Sequence, residues 1–250
     1  MLEINKVYWG DCLDVMRDID DKSIDMILCD LPYGKTHSNW DIIIPFALLW
    51  NQYNRIIKNN GAIILTASEP FSSMLIMSNL KMFKYDLIWG KSNPKGHLNA
   101  KKMPLRSHEQ VLVFYNKPPT YNPEMRKGKY RIKGGNNSMD GTGVYGKVKN
   151  YSCYNDEYYP TSILNISNAI QIGKKHPNVK PVALFEYLIK MYTSKNDLVL
   201  DNCAGSGTTA IACINTNRNY ILIEKEQKYV EICENRIKEI LENNIEQSPN

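Results

Sequence analysis

No stretch of the 250 residues approaches the roughly 18 consecutive apolar residues that a membrane-spanning helix requires. The opening Met1-Leu2-Glu3-Ile4-Asn5-Lys6 also lacks the charged-then-apolar layout of a secretory signal. A soluble, cytoplasmic protein with no membrane partner is therefore expected. The six cysteines, Cys12, Cys29, Cys153, Cys203, Cys213 and Cys233, contain no C-x-x-C pair, and most sit in apolar runs where a thiol behaves as a small hydrophobe. Neither a disulfide framework nor a metal site is expected. There is no internal repeat. What is present is 43% apolar residues, enough for one large α/β domain or two small ones with a sizeable core.

Charge is unevenly spread. Residues 81 to 150 hold 15 Lys/Arg against 4 Asp/Glu, an excess of 11 positive charges in a chain whose total is +5, so the remainder is acidic by 6. An acidic framework with a basic middle third fits a protein that meets a polyanion through one region, because neutralising phosphates supplies most non-specific nucleic-acid affinity. A solvated lysine-rich loop explains the same charge.

Strand and helix signals alternate on either side of that middle third. Strands are predicted at 24–29, 61–65, 85–89 and 110–115, with helices at 45–57, opened by Pro45, and 71–80. After the Pro118-Pro119 breaker, periodicity fails to about Asn165, in a stretch rich in Gly, Asn, Tyr and Lys that reads as an irregular insert. Order returns with a helix from Pro181 to Tyr192, a strand at 198–200, a helix at 207–214, a strand at 220–223 and an amphipathic helix at 227–241. Residues 243–250 read as a frayed polar tail. This alternation specifies an α/β fold, a mostly parallel sheet with helices on both faces.

Two segments carry chemistry. The first, Asp201-Asn202-Cys203-Ala204-Gly205-Ser206-Gly207-Thr208-Thr209, ends a strand and opens a helix, the place where parallel sheets bind ligands. Its glycines allow close backbone approach, the helix start offers free N–H groups, and Glu224 ends the next strand where a carboxylate can accept from ribose hydroxyls. An adenosine-bearing cofactor is suggested; a tight structural turn would produce the same glycines. The second, Asp30-Leu31-Pro32-Tyr33, follows the buried strand 24–29. Asp30 can accept from an amino group, Pro32 frees the preceding carbonyl to do the same, and Tyr33 offers a ring for stacking, although a strand-ending turn uses the same residue types.

Taken together, the two segments resemble the D-P-P-Y catalytic motif and D-P-F-x-G-S-G cofactor loop of the DNA amino-methyltransferases. Their order resembles the permuted β class, in which target recognition lies between the motifs. Gly10-Asp11-Cys12 resembles the family's G-D-C segment, whose aspartate contacts the cofactor adenine. His176-Pro177-Asn178-Val179-Lys180-Pro181 resembles its H-P-x-x-K-P segment, and Ile223-Glu224-Lys225 through Tyr229 its acidic strand end. The resemblance implies a Rossmann-like methyltransferase fold in permuted order. Residues 1–116 would be its catalytic part, 117–165 a target-recognition insert and 166–242 its cofactor-binding part.

The reaction implied is transfer of the methyl group of S-adenosyl-L-methionine to a flipped-out base of double-stranded DNA. Asp30, Pro32 and Tyr33 would be catalytic. Asp11, Cys12, Asp30, Lys180, Asp201, Cys203, Ala204, Gly205, Ser206, Gly207, Thr208 and Glu224 would bind the cofactor. Arg126, Lys127, Lys129, Arg131 and Lys133 would hold DNA, together with Lys35 and Trp40 of the loop after the catalytic motif. Asp rather than Ser at position 30 points to adenine N6, with cytosine N4 the alternative. Methylation of an amide in a protein or small molecule, and nucleic-acid binding without catalysis, are the competing readings. A cognate restriction endonuclease and a second copy of the chain are the further partners the resemblance brings. Leu31, Asn202 and Cys203 depart from the family's motifs, the last removing an aromatic ring expected against the cofactor adenine.

Overall fold

A computed structural model of the chain describes residues 2–35, 41–133, 153–168 and 180–246. In chain order the elements are β1 (Lys6–Trp9), α1 (Cys12–Val15), β2 (Ile24–Asp30), α2 (Phe46–Ile56), β3 (Ile57–Ala67), α3 (Phe71–Ser78), β4 (Phe83–Lys95), β5 (Arg106–Phe114), β6 (Arg126–Lys133), β7 (Cys153–Tyr158), β8 (Ile163–Asn165), α4 (Val182–Tyr192), β9 (Leu198–Asp201), α5 (Thr208–Thr216), β10 (Asn219–Glu224) and α6 (Gln227–Glu246). The main sheet runs β1-β10-β9-β2-β3-β5-β4-β8. It is parallel from β1 to β3 and between β4 and β8, and antiparallel on both sides of β5.

The strands are apolar on both faces because both are covered, and alternate side chains feed separate cores. Ile27, Cys29, Ile63, Leu65, Leu112, Phe114, Leu200 and Ile221 pack with residues of α1, α2 and α3 on one face. Met26, Leu28, Ala62, Ile64, Val111, Val113, Val199 and Leu222 pack with α4, α5 and α6 on the other. Among the described residues, no helix is long and apolar enough to cross a membrane.

The structure differs from the sequence expectation in several places. β1 was not foreseen: its four residues Lys-Val-Tyr-Trp are too few for periodicity, and it exists because it adds to the edge of β10 in register Lys6↔Ile221. The final helix continues to Glu246, so residues 243–246 belong to α6 rather than to a frayed tail. Residues 123–161 form a compact unit of their own, shorter than the insert expected over 117–165. Asn122 is tied by its side chain to the Lys190 and Thr193 carbonyls at the end of α4, and residues 163–165 join the main sheet as β8.

The smaller unit is not irregular throughout, because β6 and β7 pair antiparallel from Arg126↔Tyr158 to Lys133↔Cys153. Periodicity fails there because the cross-strand contacts are polar. Lys127 bridges Asp156 and Glu157 at 3.1 Å each, and Arg131 lies over the Tyr158 ring at 4.2 Å while donating to the Glu157 carbonyl.

Candidate active site

The parallel half of the sheet delivers four acidic groups to one edge. β2 ends on Asp30, β9 on Asp201 and β10 on Glu224, and Asp11 lies two residues after the end of β1. β5 runs antiparallel to both β3 and β4, so that β5 begins and β4 ends at this edge, and the registers Ala67↔Gln110, Trp89↔Glu109 and Lys95↔Arg106 bring Glu109, Arg106, Lys91 and Lys95 to it. Together these groups line a cavity of about 610 Å³, within the size range of small-molecule sites.

At the glycine-rich end, the loop after β9 is shaped by its own carboxylates. Asp201 is buried, accepting from the Cys203 N–H at 3.1 Å and from the Thr209 hydroxyl, and burial raises its pKa to about 6. The Glu224 oxygens accept from the Gly205 N–H at 2.7 Å and the Glu226 N–H at 2.8 Å. Burial raises the Glu224 pKa, against the pull of those two N–H groups. Each oxygen retains acceptor capacity toward a ligand hydroxyl. Arg236 clamps the loop through the Ser206 carbonyl and hydroxyl at 2.5 and 2.9 Å. Asp11 caps α1 through the Leu13 N–H at 2.9 Å, and Lys225 lies 3.8 Å from its other oxygen.

The two glycines separate in role. Gly205 has φ +52°, and a Cβ there would meet nothing within 4 Å, so open cavity lies against its backbone. Gly207 has φ +78°, and a Cβ there would come within 2.2 Å of the Cys233 Sγ. Gly207 is not among the cavity-lining residues and lets α5 start against α6, whereas Asp11, Cys12, Asp201, Cys203, Ala204, Gly205, Ser206, Thr208 and Glu224 all line the cavity.

The two departures from the family loop have partners. Asn202 accepts from the buried Tyr53 hydroxyl of α2 at 2.5 Å. The Cys203 thiol meets those of Cys12 and Cys29 and packs on the core beneath α1 and α2.

At the other end, Asp30 sits in a charged cluster. Its Oδ1 accepts from the Tyr33 hydroxyl at 2.7 Å and from the buried Thr66 hydroxyl at 2.5 Å, and its Oδ2 accepts from the Lys180 ammonium. Lys180 also lies 3.4 Å from Glu109, whose other oxygen takes Lys91. Burial pulls the Lys180 pKa down, but the charges of Asp30 and Glu109 outweigh it and hold the ammonium above its ordinary value. Lys180, expected at the cofactor, is thus bonded to the Asp30 carboxylate. The Tyr33 ring stacks on Phe71 with centroids 5.0 Å apart, and its hydroxyl is raised in pKa by burial and by Asp30. Pro32 lines the cavity beside it.

Thr66, Glu109 and Lys91 were missed from sequence because no local motif marks them; only the strand registers bring them to Asp30. Lys35 lies at the cavity mouth, its ammonium donating to Ser68 and Glu69. Asp41 gathers the Gly34 and Lys35 N–H groups at 2.8 Å each. Trp40 and His176 to Val179 lie outside the described residues. Arg126, Lys127, Lys129, Arg131 and Lys133 fall on β6 of the smaller unit. There Arg126 donates to the Tyr159 carbonyl and the Lys129 carbonyl accepts from the Tyr158 hydroxyl. Among the described residues no cluster of His, Cys, Asp and Glu is placed to hold a metal ion.

Residues 24–235 match the N6/N4 family model described as DNA methylase, a span that takes in both ends of the cavity. The chain belongs to the N6/N4 DNA methylase family. It is 28% identical to the type II methyltransferase M.HinfI of Haemophilus influenzae, over 96% of this chain and 70% of that protein. It is 27% identical to M2.MboI of Moraxella bovis, over 94% and 88%. Among solved structures, the M1.HpyAVI complex with S-adenosylmethionine superposes with TM-score 0.63 at 25% identity, covering 93% of this chain and 98% of that one. The cytosine-N4-specific PvuII methyltransferase shares the fold with TM-score 0.67 at 17% identity, covering 92% and 89%. This methylase is therefore an α/β enzyme acting on DNA, with its two signature segments at neighbouring strand ends.

Proposed function

We propose that this methylase transfers the methyl group of S-adenosyl-L-methionine to N6 of adenine within a specific sequence of double-stranded DNA. The observation that carries the reading is the Asp30 carboxylate. It has about four acceptor sites. Two hydroxyls occupy Oδ1 and Lys180 takes one site on Oδ2, which leaves a place for the N–H of an exocyclic amino group. Aspartate rather than serine at this position favours adenine by family resemblance; cytosine N4 is the second reading.

The residues present fit the cofactor. Open space lies against the Gly205 backbone, Glu224 keeps acceptor capacity for ribose hydroxyls, and Asp11, Cys12 and Cys203 line the adjoining wall. When bound there, S-adenosyl-L-methionine supplies an electrophilic methyl group on a sulfonium. Everything else falls to the protein. A base stacked in a duplex must first be turned out, at a cost of roughly a few kcal/mol. The cavity face of the Tyr33 ring, opposite Phe71, offers a stack worth about 1–3 kcal/mol. Asp30 then fixes the amino group so that its lone pair points at the methyl, and such positioning can contribute about 7–11 kcal/mol. Lys180 and the two hydroxyls hold Asp30 in that orientation, and its ionised oxygen is placed to draw on the proton that the methylated nitrogen must lose.

Incubation with plasmid DNA and isotopically labelled cofactor, digestion to nucleosides and mass spectrometry tests the reading. Labelled N6-methyladenine is the expected product. N4-methylcytosine alone would transfer the assignment to the second reading, and unlabelled DNA would contradict both.

A further inference from the structure

We propose that the turn joining β4 to β5, residues 96–105, is a DNA-contacting element in which Leu98 enters the base stack and fills the gap left by the extruded nucleotide. This rests on the base-flipping reading above. From Lys95 to Arg106 the sequence is Lys-Gly-His-Leu-Asn-Ala-Lys-Lys-Met-Pro-Leu-Arg, with four Lys/Arg and no acidic residue. The turn is internally braced. After Gly96 at φ +95°, the N–H groups of Asn99 and Ala100 donate to the carbonyls of Gly96 and His97 at 2.9 and 3.1 Å. Those of Lys102 and Met103 both donate to the Asn99 carbonyl, at 2.8 and 3.0 Å. At its apex Leu98 is fully exposed, at 102%, and Met103 is 58% exposed.

The base of the turn is assembled against its own electrostatics. Lys95 and Arg106 are directly opposed across the strands, an arrangement that is destabilising for like charges. Lys35 adds a third cation, since its ammonium and the Arg106 guanidinium both donate to the Ser68 hydroxyl, at 2.8 and 3.2 Å. Burial and then the Arg106 charge lower the Lys35 pKa, against the pull of the Glu69, Glu109 and Asp41 carboxylates. Among the described residues, Lys35, Lys95, Lys101, Lys102 and Arg106 make no ion pair with a carboxylate, whereas Lys91 next to them does.

A cation cluster without direct carboxylate partners around an exposed leucine is matched by the phosphates and base stack of DNA. Proteins that distort duplexes insert Leu or Met between base steps, and flanking cations neutralise phosphates. Lys35, Lys95 and Arg106 line the same cavity as Asp30 and Tyr33, so the phosphates they would take are those flanking the base held there. The partner is thus a duplex with its target nucleotide turned out.

The test compares the parent enzyme with Leu98→Ala and with Lys101→Gln/Lys102→Gln on duplexes containing the methylated sequence, with the target base either paired or mispaired. Leu98 is fully exposed, so its truncation does not threaten the fold. Leu98→Ala is expected to slow methyl incorporation about 10-fold on the paired duplex but less than about 2-fold on the mispaired one, where opening is already cheap. The double lysine variant should flatten the dependence of log affinity on log salt by up to about 1.8. Parent-like rates on both duplexes, equal slowing on both, or an unchanged salt slope would each overturn the proposal. Methyl groups are counted whichever base receives them, so an N4-methylcytosine product would displace the adenine reading without touching this one.

Discussion

The two ends of the cavity hold their carboxylates in different ways. At the glycine-loop end, Asp201 and Glu224 are held chiefly by backbone N–H groups and one neutral hydroxyl of the same segments. At the other end, Asp30 is held by a lysine and two hydroxyls drawn from three separate parts of the chain. Backbone donors are fixed once the loop folds. A lysine–carboxylate cluster is balanced only while every member is present. The first end is thus built as a preformed receptacle, and the second as a charged arrangement whose geometry depends on its partners.

Breaking the charged end should have the largest effect on stability. Lys180→Gln leaves Asp30 and Glu109 facing each other without the ammonium between them, and loss of one partner from a buried ion pair costs about 3–5 kcal/mol. A denaturant melt showing less than about 1 kcal/mol of loss would mean that Lys180 is not balancing the pair.

The preformed end is distinguished by its response to pH. Burial raises Asp201 in the folded state to about 6 from an ordinary 3.8, so between those values the folded protein binds more protons than the unfolded one. The Asp201 contribution to stability is therefore full below about pH 4 and lost as pH rises through 6, by up to about 3 kcal/mol. Asp201→Asn, which keeps an acceptor for Cys203, should remove that decline. Parallel stability curves for parent and variant between pH 4 and 7 would refute the burial argument.

The glycines sharpen the same comparison. Gly205→Val puts a side chain into open cavity at a left-handed φ and should weaken cofactor binding by an order of magnitude or more, about 1.4 kcal/mol per factor of ten. Gly207→Ala strikes Cys233 and should appear chiefly in the melting temperature. Calorimetry and melting should therefore sort the two variants oppositely. The smallest effect is expected from Tyr33→Phe, which keeps the ring and removes one hydrogen bond to Asp30, worth about 0.5–1.5 kcal/mol. Transfer should slow several-fold with cofactor affinity unchanged; a loss as large as that of Tyr33→Ala would assign the residue's role to its hydroxyl instead of its ring.

Legibility from sequence followed the same division. Asp30, Asp201 and Glu224 were readable because each stands at or just after the end of an apolar strand, and local periodicity locates strand ends; Asp11 was readable only through the resemblance of Gly10-Asp11-Cys12 to a family segment, because β1 is too short for periodicity. The two-faced sheet was readable from near-continuous apolar runs such as 24–29 and 61–65. Thr66, Glu109 and Lys91 were not, because Thr66 reaches Asp30 only through the β2–β3 register, and Glu109 and Lys91 only through the β3–β5–β4 registers. The packing constraint on Gly207 was not readable because it comes from Cys233, 26 residues further on in α6. The β6–β7 pairing was hidden because its cross-strand contacts are salt bridges and an arginine–tyrosine stack, which leave no apolar alternation.

The most direct test of the central claim, that Asp30 orients the amino group while the glycine-loop end binds cofactor independently, is Asp30→Asn measured in two ways on one preparation. Single-turnover methyl transfer should fall at least about 100-fold, the cost of a misplaced reacting group. Calorimetric affinity for S-adenosyl-L-methionine should stay within about 3-fold of the parent, or less than about 1 kcal/mol. Near-parent transfer, or a parallel collapse of cofactor affinity, would contradict the account.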